Sequence, residues 1–174
     1  MKTFITILIA IVLSGCQGGN QNNGGFEKGS QKEQEAVIRT KRGNINIKFL
    51  PTKAPNTVKR IKKLIEEKFY DGIQFHRVVP NFVIQAGDPT GTGVGGSGKN
   101  INAEFNDMKH VKGSVAMARL GHDTNSADSQ FYIALSTLPH LDNKYTIFAI
   151  VSDGIEVLDR IKKGDKIESI RLKD

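Results

Sequence analysis

Tryptophan is absent from the 174-residue chain, and cysteine occurs only once, as Cys16. A single cysteine excludes a disulfide within the chain, and its place near the N-terminus excludes a cysteine nucleophile in the folded part. Histidine is also scarce, and its spacing is not that of zinc ligands. We therefore expect no metal site; the four histidines are His76, His110, His122 and His140.

Long apolar stretches are also missing, apart from residues 3–13. This run is too short for a stable membrane anchor and has the length of a signal-peptide core. It ends in LSGC, residues 13–16, which resembles a bacterial lipoprotein cleavage box. The alternative is an ordinary secretory signal whose cysteine is incidental. We predict a lipoprotein signal peptide over residues 1–15 and lipidation of Cys16 with palmitate, which would attach the protein to a membrane.

Apolar side chains are almost absent from the segment that follows, residues 16–35, where Phe26 is the main exception. Such a composition builds no core. We predict a flexible tether with an r.m.s. span on the order of 20–25 Å. It would hold one globular domain, residues 36–174, close to a membrane. The expected location is the bacterial cell envelope, either the outer face of a single-membrane cell or the periplasm of a two-membrane cell.

Acidic residues are outnumbered: 18 Asp and Glu stand against 25 Lys and Arg, giving a net charge of +7. Such an excess is compatible with binding to anionic lipid or nucleic acid. The basic residues are not interleaved with aromatic ones, however, and no nucleic-acid-binding motif occurs. The solvated face of a helix explains the densest cluster, Lys59, Arg60, Lys62 and Lys63. We expect no nucleic-acid partner and a monomeric protein.

Apolar spacing in the predicted domain indicates many short strands and two helices. Residues 36–50 have the alternation of a β-hairpin. Pro55 begins a helix whose apolar face recurs at helical spacing, and Asp71-Gly72 is expected to end it. A second helix is predicted around residues 155–161, before a closing strand. Short strands with only two helices favour an antiparallel barrel.

Glycine is concentrated in residues 91–99, GTGVGGSGK, which contain a G-x-G-x-x-G motif and nearly satisfy a P-loop. Asn100 stands where a P-loop needs Ser or Thr. The strand–loop–helix context of both nucleotide motifs is missing, because residues 102–109 are polar and irregular. We predict a mobile surface loop that binds no nucleotide.

Residues 75–88, FHRVVPNFVIQAGD, predict two short strands around Pro80-Asn81 and contain one arginine, Arg77. Taken alone, Arg77 is explained by an edge position, with its stem on apolar neighbours and its head in water. Alternation along the strand places His76 and Arg77 on opposite faces. A hydrolase triad built on Ser129 is set aside, because no nucleophile elbow surrounds it.

A second stretch, residues 113–151, changes the interpretation of Arg77. Together the two stretches resemble the bacterial branch of the cyclophilin family of peptidyl-prolyl cis–trans isomerases. The matching words are F-H-R-V-V-P-x-F-V-I-Q-A-G-D, M-A-R, S-Q-F-Y-I and H-L-D-x-K-Y-T-I-F, in the family's order. The resemblance runs from about Ala36 to the C-terminus. It implies a mainly β fold: a closed eight-stranded antiparallel β-barrel capped by two helices.

Isomerisation of an X–Pro bond requires no nucleophile, metal or cofactor, because no bond to the substrate breaks. The resemblance implies a proline-containing polypeptide substrate and a catalytic set of Arg77, Phe82 and Gln85. In it Arg77 stabilises the twisted amide, while Gln85 and Gln130 hold the peptide backbone and orient Arg77. The implied substrate-binding residues are Val83, Ala118, Arg119, Gln130, Tyr132, His140, Leu141, Tyr145 and Phe148.

Four positions depart from the best-known eukaryotic members of the family. His140 stands where those members carry tryptophan, and Tyr145 where they carry histidine. Arg119 replaces asparagine, and Tyr132 replaces phenylalanine, which adds a hydroxyl to the pocket wall. These departures bear on inhibitor binding and substrate preference more than on the activity itself.

Two function classes follow from the sequence. One is an isomerase that accelerates folding of exported proteins. The other is a non-catalytic chaperone or surface-adhesion module that captures Pro-containing peptides in the same groove. Arg77 discriminates between them, because a pure binder has no need of it, and its presence favours the enzyme.

Overall fold

The computed structural model describes residues 35–173. The predicted signal peptide, Cys16 and residues 17–34 of the predicted tether lie outside the described residues. Within residues 35–173, no helix has both the length and the apolar character needed to cross a membrane.

The described chain is mainly β, as predicted. Its two helices are α1 (Pro55–Glu66) and α2 (Ile155–Leu158), and one short 3₁₀ helix covers Pro139–Leu141. The strands are β1 (Glu35–Thr40), β2 (Gly43–Phe49), β3 (Arg77–Val79), β4 (Val83–Ala86), β5 (Ser114–Met117), β6 (Phe131–Ala134), β7 (Ile147–Asp153) and β8 (Ile167–Leu172).

All eight strands belong to one antiparallel sheet in the order β3-β4-β6-β5-β7-β2-β1-β8. The sheet curls into a half-barrel that is open between β3 and β8. The closed barrel expected from the sequence is therefore not confirmed. The chain just ahead of β3 is hydrogen-bonded to the chain at the start of β8. Ile167 N–H donates to the Ile73 carbonyl and Phe75 N–H to the Asp165 carbonyl, each at 2.8 Å, on either side of an isolated bridge between Gln74 and Lys166. These backbone hydrogen bonds end at Phe75, so that β3 itself has no strand partner on that side among residues 35–173.

Helix α1 covers one end of the sheet. Its Pro55 has the fixed φ angle that suits a first helical position. The carboxylate of Glu104 accepts the backbone N–H groups of Asn56 and Thr57, at 3.0 and 2.8 Å, which satisfies donors that a helix start leaves free. The helix ends at Glu66, earlier than the predicted Asp71-Gly72, because Lys68 adopts a left-handed φ of 56°.

The second predicted helix is also shorter than the apolar spacing suggested. Helix α2 has only four residues, and Ile161 is buried beyond its end. Both helices close over one continuous apolar core, to which buried residues of every strand except β3 contribute. A second, smaller cluster of buried side chains lies behind the groove described below: Val83, Ala116, Tyr132, Ala134, Leu138 and Ile147.

Candidate active site

The β3–β4 hairpin presents the predicted catalytic side chains. Asn81 turns the chain with a φ of 59°, a left-handed conformation that asparagine tolerates. The antiparallel register then sets Arg77 directly opposite Gln85. The Arg77 side chain is exposed and that of His76 is buried, so the predicted alternation is confirmed.

Arg77 lies at the mouth of an apolar recess. Its guanidinium carbon stands 5.3 Å from the centre of the Phe82 ring, within the range of a cation–π contact. Among residues 35–173 the guanidinium forms no hydrogen bond or ion pair with another side chain. Its donors are therefore free for a bound molecule, and its position is set by its own strand and by the Phe82 face.

The recess is a cavity of about 240 Å³. It brings together most of the predicted site, from β3, β4, the segment after β5, β6 and the 3₁₀ helix. Tyr132 forms one wall, and its ring meets that of Tyr145 edge to face at 5.8 Å. The lining residues are Arg77, Phe82, Val83, Gln85, Ala118, Arg119, Tyr132, Leu141 and Tyr145.

Three predicted substrate-binding residues do not line this cavity: Gln130, His140 and Phe148. Phe148 is 1% exposed and packs into the main core inside the sheet, so its role is core packing. His140 lies at the rim, where its ring stacks on that of Phe82 with centroids 6.0 Å apart. A ligand in the cavity would meet the exposed edge of this pair.

Gln130 lines an adjoining cavity of about 220 Å³ beside the glycine-rich loop. Gln85 Nε2 donates to Gln130 Oε1 at 2.9 Å, and Gln130 Nε2 donates to the carbonyls of Gly93 and Gly95 at 3.0 and 2.8 Å. The two amides thus tie the loop to β4. Among residues 35–173 neither amide is hydrogen-bonded to Arg77, so the expectation that they orient Arg77 has no hydrogen bond to support it.

Arg119 also serves the frame of the groove. Its guanidinium donates to the carbonyl of Lys144 at 3.1 and 3.0 Å and lies over the Tyr145 ring at 4.7 Å. The neighbouring Ala118 N–H is paired with the carbonyl of Gln130 at 2.9 Å. Arg119 therefore holds the segment that carries Tyr145 against the cavity, an arrangement that an asparagine is too short to make.

Residues 91–99 form no regular structure, and the next regular element is β5. The helix that a phosphate-binding loop requires is thus missing among the described residues. The loop is instead held by buried Asp88, whose carboxylate accepts the backbone N–H groups of Thr90 and Gly93 at 2.7 and 2.6 Å. At the far end Asp128 accepts the N–H of Gly98 at 2.7 Å.

His110 and Asp142 support the cavity from behind, and the sequence did not indicate them. The Tyr132 hydroxyl lies 2.9 Å from His110 Nε2, and His110 Nδ1 lies 3.1 Å from Asp142 Oδ1. Burial lowers the pKa of His110 and raises that of Tyr132. These partners are 22 and 32 residues apart, so no local pattern could have revealed them. The one available signal was the hydroxyl that Tyr132 adds to the pocket wall.

The site contains no activated nucleophile. Ser129 is buried, and its hydroxyl donates to the carbonyl of Gly87 at 2.8 Å, which excludes it from a hydrolytic triad. Among residues 35–173 no group of three or more His, Cys, Asp or Glu side chains is arranged to hold a metal ion. The arrangement supplies a recess with apolar walls and two guanidinium groups: that of Arg119 is hydrogen-bonded to the Lys144 carbonyl, and that of Arg77 stands at the mouth over the Phe82 ring.

Comparison with known proteins agrees with this geometry. The family model of "Cyclophilin type peptidyl-prolyl cis-trans isomerase/CLD" matches residues 35–174. A Helicobacter pylori peptidyl-prolyl cis-trans isomerase is 44% identical over 143 residues, covering 80% of this chain and 86% of its own. Peptidyl-prolyl cis-trans isomerase B of Bacillus subtilis is 42% identical over 130 residues, covering 74% and 90%.

A solved structure extends the likeness to three dimensions. The Cryptosporidium parvum cyclophilin type isomerase, crystallised in the presence of the dipeptide Ala-Pro, superposes with a TM-score of 0.71 at 32% identity. The match covers 81% of this chain and 96% of that one. With the family model matching the whole described domain, the chain belongs to the cyclophilin type peptidyl-prolyl cis–trans isomerase family.

Proposed function

We propose that this protein catalyses cis–trans isomerisation of X–Pro bonds, with Arg77 as the catalytic residue. The observation that carries the proposal is the free Arg77 guanidinium at the mouth of an apolar cavity. The relatives named above are isomerases, and the Cryptosporidium structure was determined in the presence of a proline dipeptide. A proline-containing polypeptide is therefore the substrate that fits the recess.

The chemistry requires stabilisation of a twisted amide. Rotation about the X–Pro bond has a barrier of about 18–20 kcal/mol because the planar amide is resonance-stabilised. Twisting localises the nitrogen lone pair, which then accepts a hydrogen bond that the planar amide cannot. A charged donor fixed beside that nitrogen binds the twisted state better than either planar state, which lowers the barrier. Arg77 supplies such a donor.

The apolar walls hold the proline ring still while the preceding residue rotates. Phe82, Val83 and Leu141 offer aromatic and aliphatic surface, and the Tyr132 ring closes the cavity. Binding the ring in a water-poor recess also strengthens the interaction of the guanidinium with the amide, since the local dielectric constant is lower. Gln85 lies in the same wall, and we assign it contact with the peptide backbone.

Substitution of Arg77 tests this assignment. Arg77→Ala should lower kcat/KM by roughly 10²–10³-fold, as for loss of one preorganised donor. Affinity for a proline peptide should fall far less, because the ring is held by Phe82, Tyr132 and Leu141. Arg77→Lys should also be poor, since an ammonium on a flexible stem does not reproduce the rigid fork. The measurements are isomerisation rate and peptide Kd for each folded variant.

The rival function is non-catalytic capture of Pro-peptides by a chaperone or adhesion module. A wild-type protein that binds Pro-peptides without any rate enhancement would establish this alternative. An Arg77→Ala variant with near-full activity would instead show that the protein is an isomerase but that Arg77 is not its catalytic residue. Phe82→Ala serves as the contrasting variant, because loss of its ring should weaken both binding and rate.

We also propose that the enzyme is a monomeric lipoprotein of the bacterial cell envelope and acts on exported proteins. Support comes from the LSGC box that ends at Cys16 and from the polar tether of residues 17–34. Growth with a clickable palmitate analogue should label the wild-type chain and leave Cys16→Ala unlabelled. Equal labelling of the two proteins, or none of the wild type, would contradict the anchor.

A further inference from the structure

Three polar side chains form a hydrogen-bonded chain directly behind the proline cavity. The Tyr132 hydroxyl meets His110 Nε2 at 2.9 Å, and His110 Nδ1 meets Asp142 Oδ1 at 3.1 Å. His110 is fully buried and Tyr132 is 5% exposed, so their partners are fixed by the fold. The amide-twisting chemistry assigned to Arg77 does not use any of these groups.

The direction of these hydrogen bonds follows from the carboxylate. Asp142 Oδ1 also accepts the backbone N–H of His110 at 2.9 Å, and Oδ2 lies 3.4 Å from Lys109 Nζ. An ionised carboxylate only accepts, so His110 Nδ1 carries a proton. In the neutral ring Nε2 then has none and accepts the Tyr132 O–H. The hydroxyl proton is thereby turned away from the cavity, and the cavity meets the apolar part of the ring.

His110 also joins the two structural elements that form this side of the cavity. Its carbonyl accepts the Leu138 N–H at 2.8 Å, just ahead of the 3₁₀ helix. Its ring holds Tyr132 of β6, and Asp142 directly follows the cavity residue Leu141. We propose that neutral His110 is a positioning residue for proline binding: it fixes the Tyr132 wall relative to Leu141 and keeps the Tyr132 hydroxyl from pointing at the proline ring. This inference rests on the proposed isomerase site.

Protonation of His110 should reverse the arrangement. A protonated Nε2 donates to the Tyr132 oxygen, and the hydroxyl proton then requires another acceptor or turns towards the cavity. A polar donor without a partner beside the proline ring weakens binding. The charged or titratable groups that face His110 are Asp142 and His140 from the 3₁₀ helix region, Tyr132 from β6, Tyr145, and Lys109 through Asp142.

The test follows proline-peptide Kd by titration, and KM and kcat by a protease-free assay, between pH 8 and pH 5. In the wild type, Kd and KM should rise about 3–10-fold on acidification, while kcat changes less. Tyr132→Phe removes the hydroxyl and should flatten the pH dependence of Kd. His110→Gln keeps an acceptor that does not titrate and should also flatten it. The thermal midpoint of each variant confirms that it is folded at every pH used.

Two substitutions at other histidines serve as controls for the effect of His110. His140→Gln removes the ring at the cavity rim, and His122→Gln removes an exposed one; both should retain the acid rise in Kd. A flat wild-type Kd, or an acid rise that persists in Tyr132→Phe, would overturn the proposal. If His110→Gln fails to fold, the comparison of wild type with Tyr132→Phe still decides. Absence of catalysis at every pH with a normal acid rise in Kd would contradict the isomerase activity alone.

Discussion

At the scale of single residues, His140 determines what the rim of the proline cavity offers to a large ligand. Its ring stacks on Phe82 with an interplanar angle of 11°, and the side chain remains exposed. An imidazole covers less apolar area than the indole that the best-known eukaryotic members carry at this position. It also presents a more polar face. Ligands that extend from the cavity over the rim therefore gain less here.

Inhibition by cyclosporin tests this difference. We expect weak inhibition of the wild type compared with a tryptophan-bearing cyclophilin. His140→Trp should tighten inhibition by roughly tenfold, because one hydrogen bond and additional apolar area are worth about 1.4 kcal/mol or more. The measurement is a titration of isomerase activity with the drug. His122→Trp is the matched control, and inhibition of the wild type as tight as that of a tryptophan-bearing member would refute the expectation.

Single residues also differ in how far the sequence predicts them. Arg77 and Phe82 lie within one continuous sequence motif and one hairpin, so their proximity follows from local structure. Phe148 belongs to an equally recognisable sequence motif, yet alternation along its strand points the side chain into the core. The support of Tyr132 by His110 depends on a contact between segments that only the folded sheet brings together.

At the scale of elements, the glycine-rich loop lacks the helix of a phosphate-binding motif and is hydrogen-bonded to the groove at both ends. The mobility predicted for it from the sequence stays a prediction. Asp88 is fully buried and holds the loop through backbone N–H groups. Next to it, Gly87 has a φ of 95° and leaves no room for a side chain, because a Cβ would collide with the carbonyl of Ser129. The anchors at Asp88 and Gln130 determine where the loop carbonyls stand beside the cavity.

Replacement of the Asp88 anchor should disorganise this side of the groove. In Asp88→Asn an amide group faces the N–H of Thr90 or of Gly93, so a donor opposes a donor. We expect a loss of about 2–3 kcal/mol of unfolding free energy, and a lower kcat/KM. Chemical denaturation and the isomerisation rate measure the two effects.

The control for this substitution is Asp123→Asn. Asp123 also accepts a backbone N–H two residues ahead, from Asn125 at 2.9 Å, but it is exposed. The control should change stability by less than about 0.5 kcal/mol. Equal effects of the two substitutions would show that burial of Asp88 is not what holds the loop.

The sequence predicted those elements whose signals are local and missed those that depend on distant contacts. The β1–β2 hairpin follows from alternation around a turn, and α1 from its apolar spacing after Pro55. The predicted end of α1 was wrong because a non-glycine residue, Lys68, takes the left-handed conformation that ends the helix. Barrel closure was expected from the resemblance alone; it depends on the pairing of β3 with β8, two segments distant in sequence that remain unpaired in the described sheet.

At the scale of the whole molecule, buried titratable groups make stability depend on pH in two separate ranges. Burial lowers the pKa of His76 and of His110, and both ring nitrogens of His76 lack a hydrogen-bond partner in the described chain. Two aspartates also make stability fall in acid, but for a different reason: their pKa values are lowered by hydrogen bonds to the carboxylate. Burial disfavours the Asp88 carboxylate, but hydrogen bonds from Thr90 and Gly93 outweigh it, and the pKa lies well below its usual range. A hydrogen bond from the Arg42 guanidinium likewise holds the pKa of Asp165 well below its usual range.

The sign of each effect follows from which state binds protons first. Between pH 6.5 and the lower pKa of each buried histidine, the unfolded chain is protonated and the folded chain is not, so the unfolding free energy falls as pH falls. The aspartates add stability that is complete above about pH 4 and is lost as pH falls further. The thermal midpoint should therefore be steady from pH 8 to 7, decline from about pH 6.5, and decline again below about pH 4.

Calorimetry across this range, with reversibility checked at each pH, measures the decline. For a domain of this size a loss of 1 kcal/mol lowers the midpoint by about 4 °C, so the histidine range is readily resolved. In His76→Gln the decline between pH 6.5 and 5 should shrink, because one group that binds a proton only on unfolding is gone. His122→Gln, at an exposed position, should leave that slope as it is. A midpoint that stays constant down to pH 5 in the wild type would mean that both buried histidines bind protons in the folded state as readily as in the unfolded chain, and that burial does not keep them neutral.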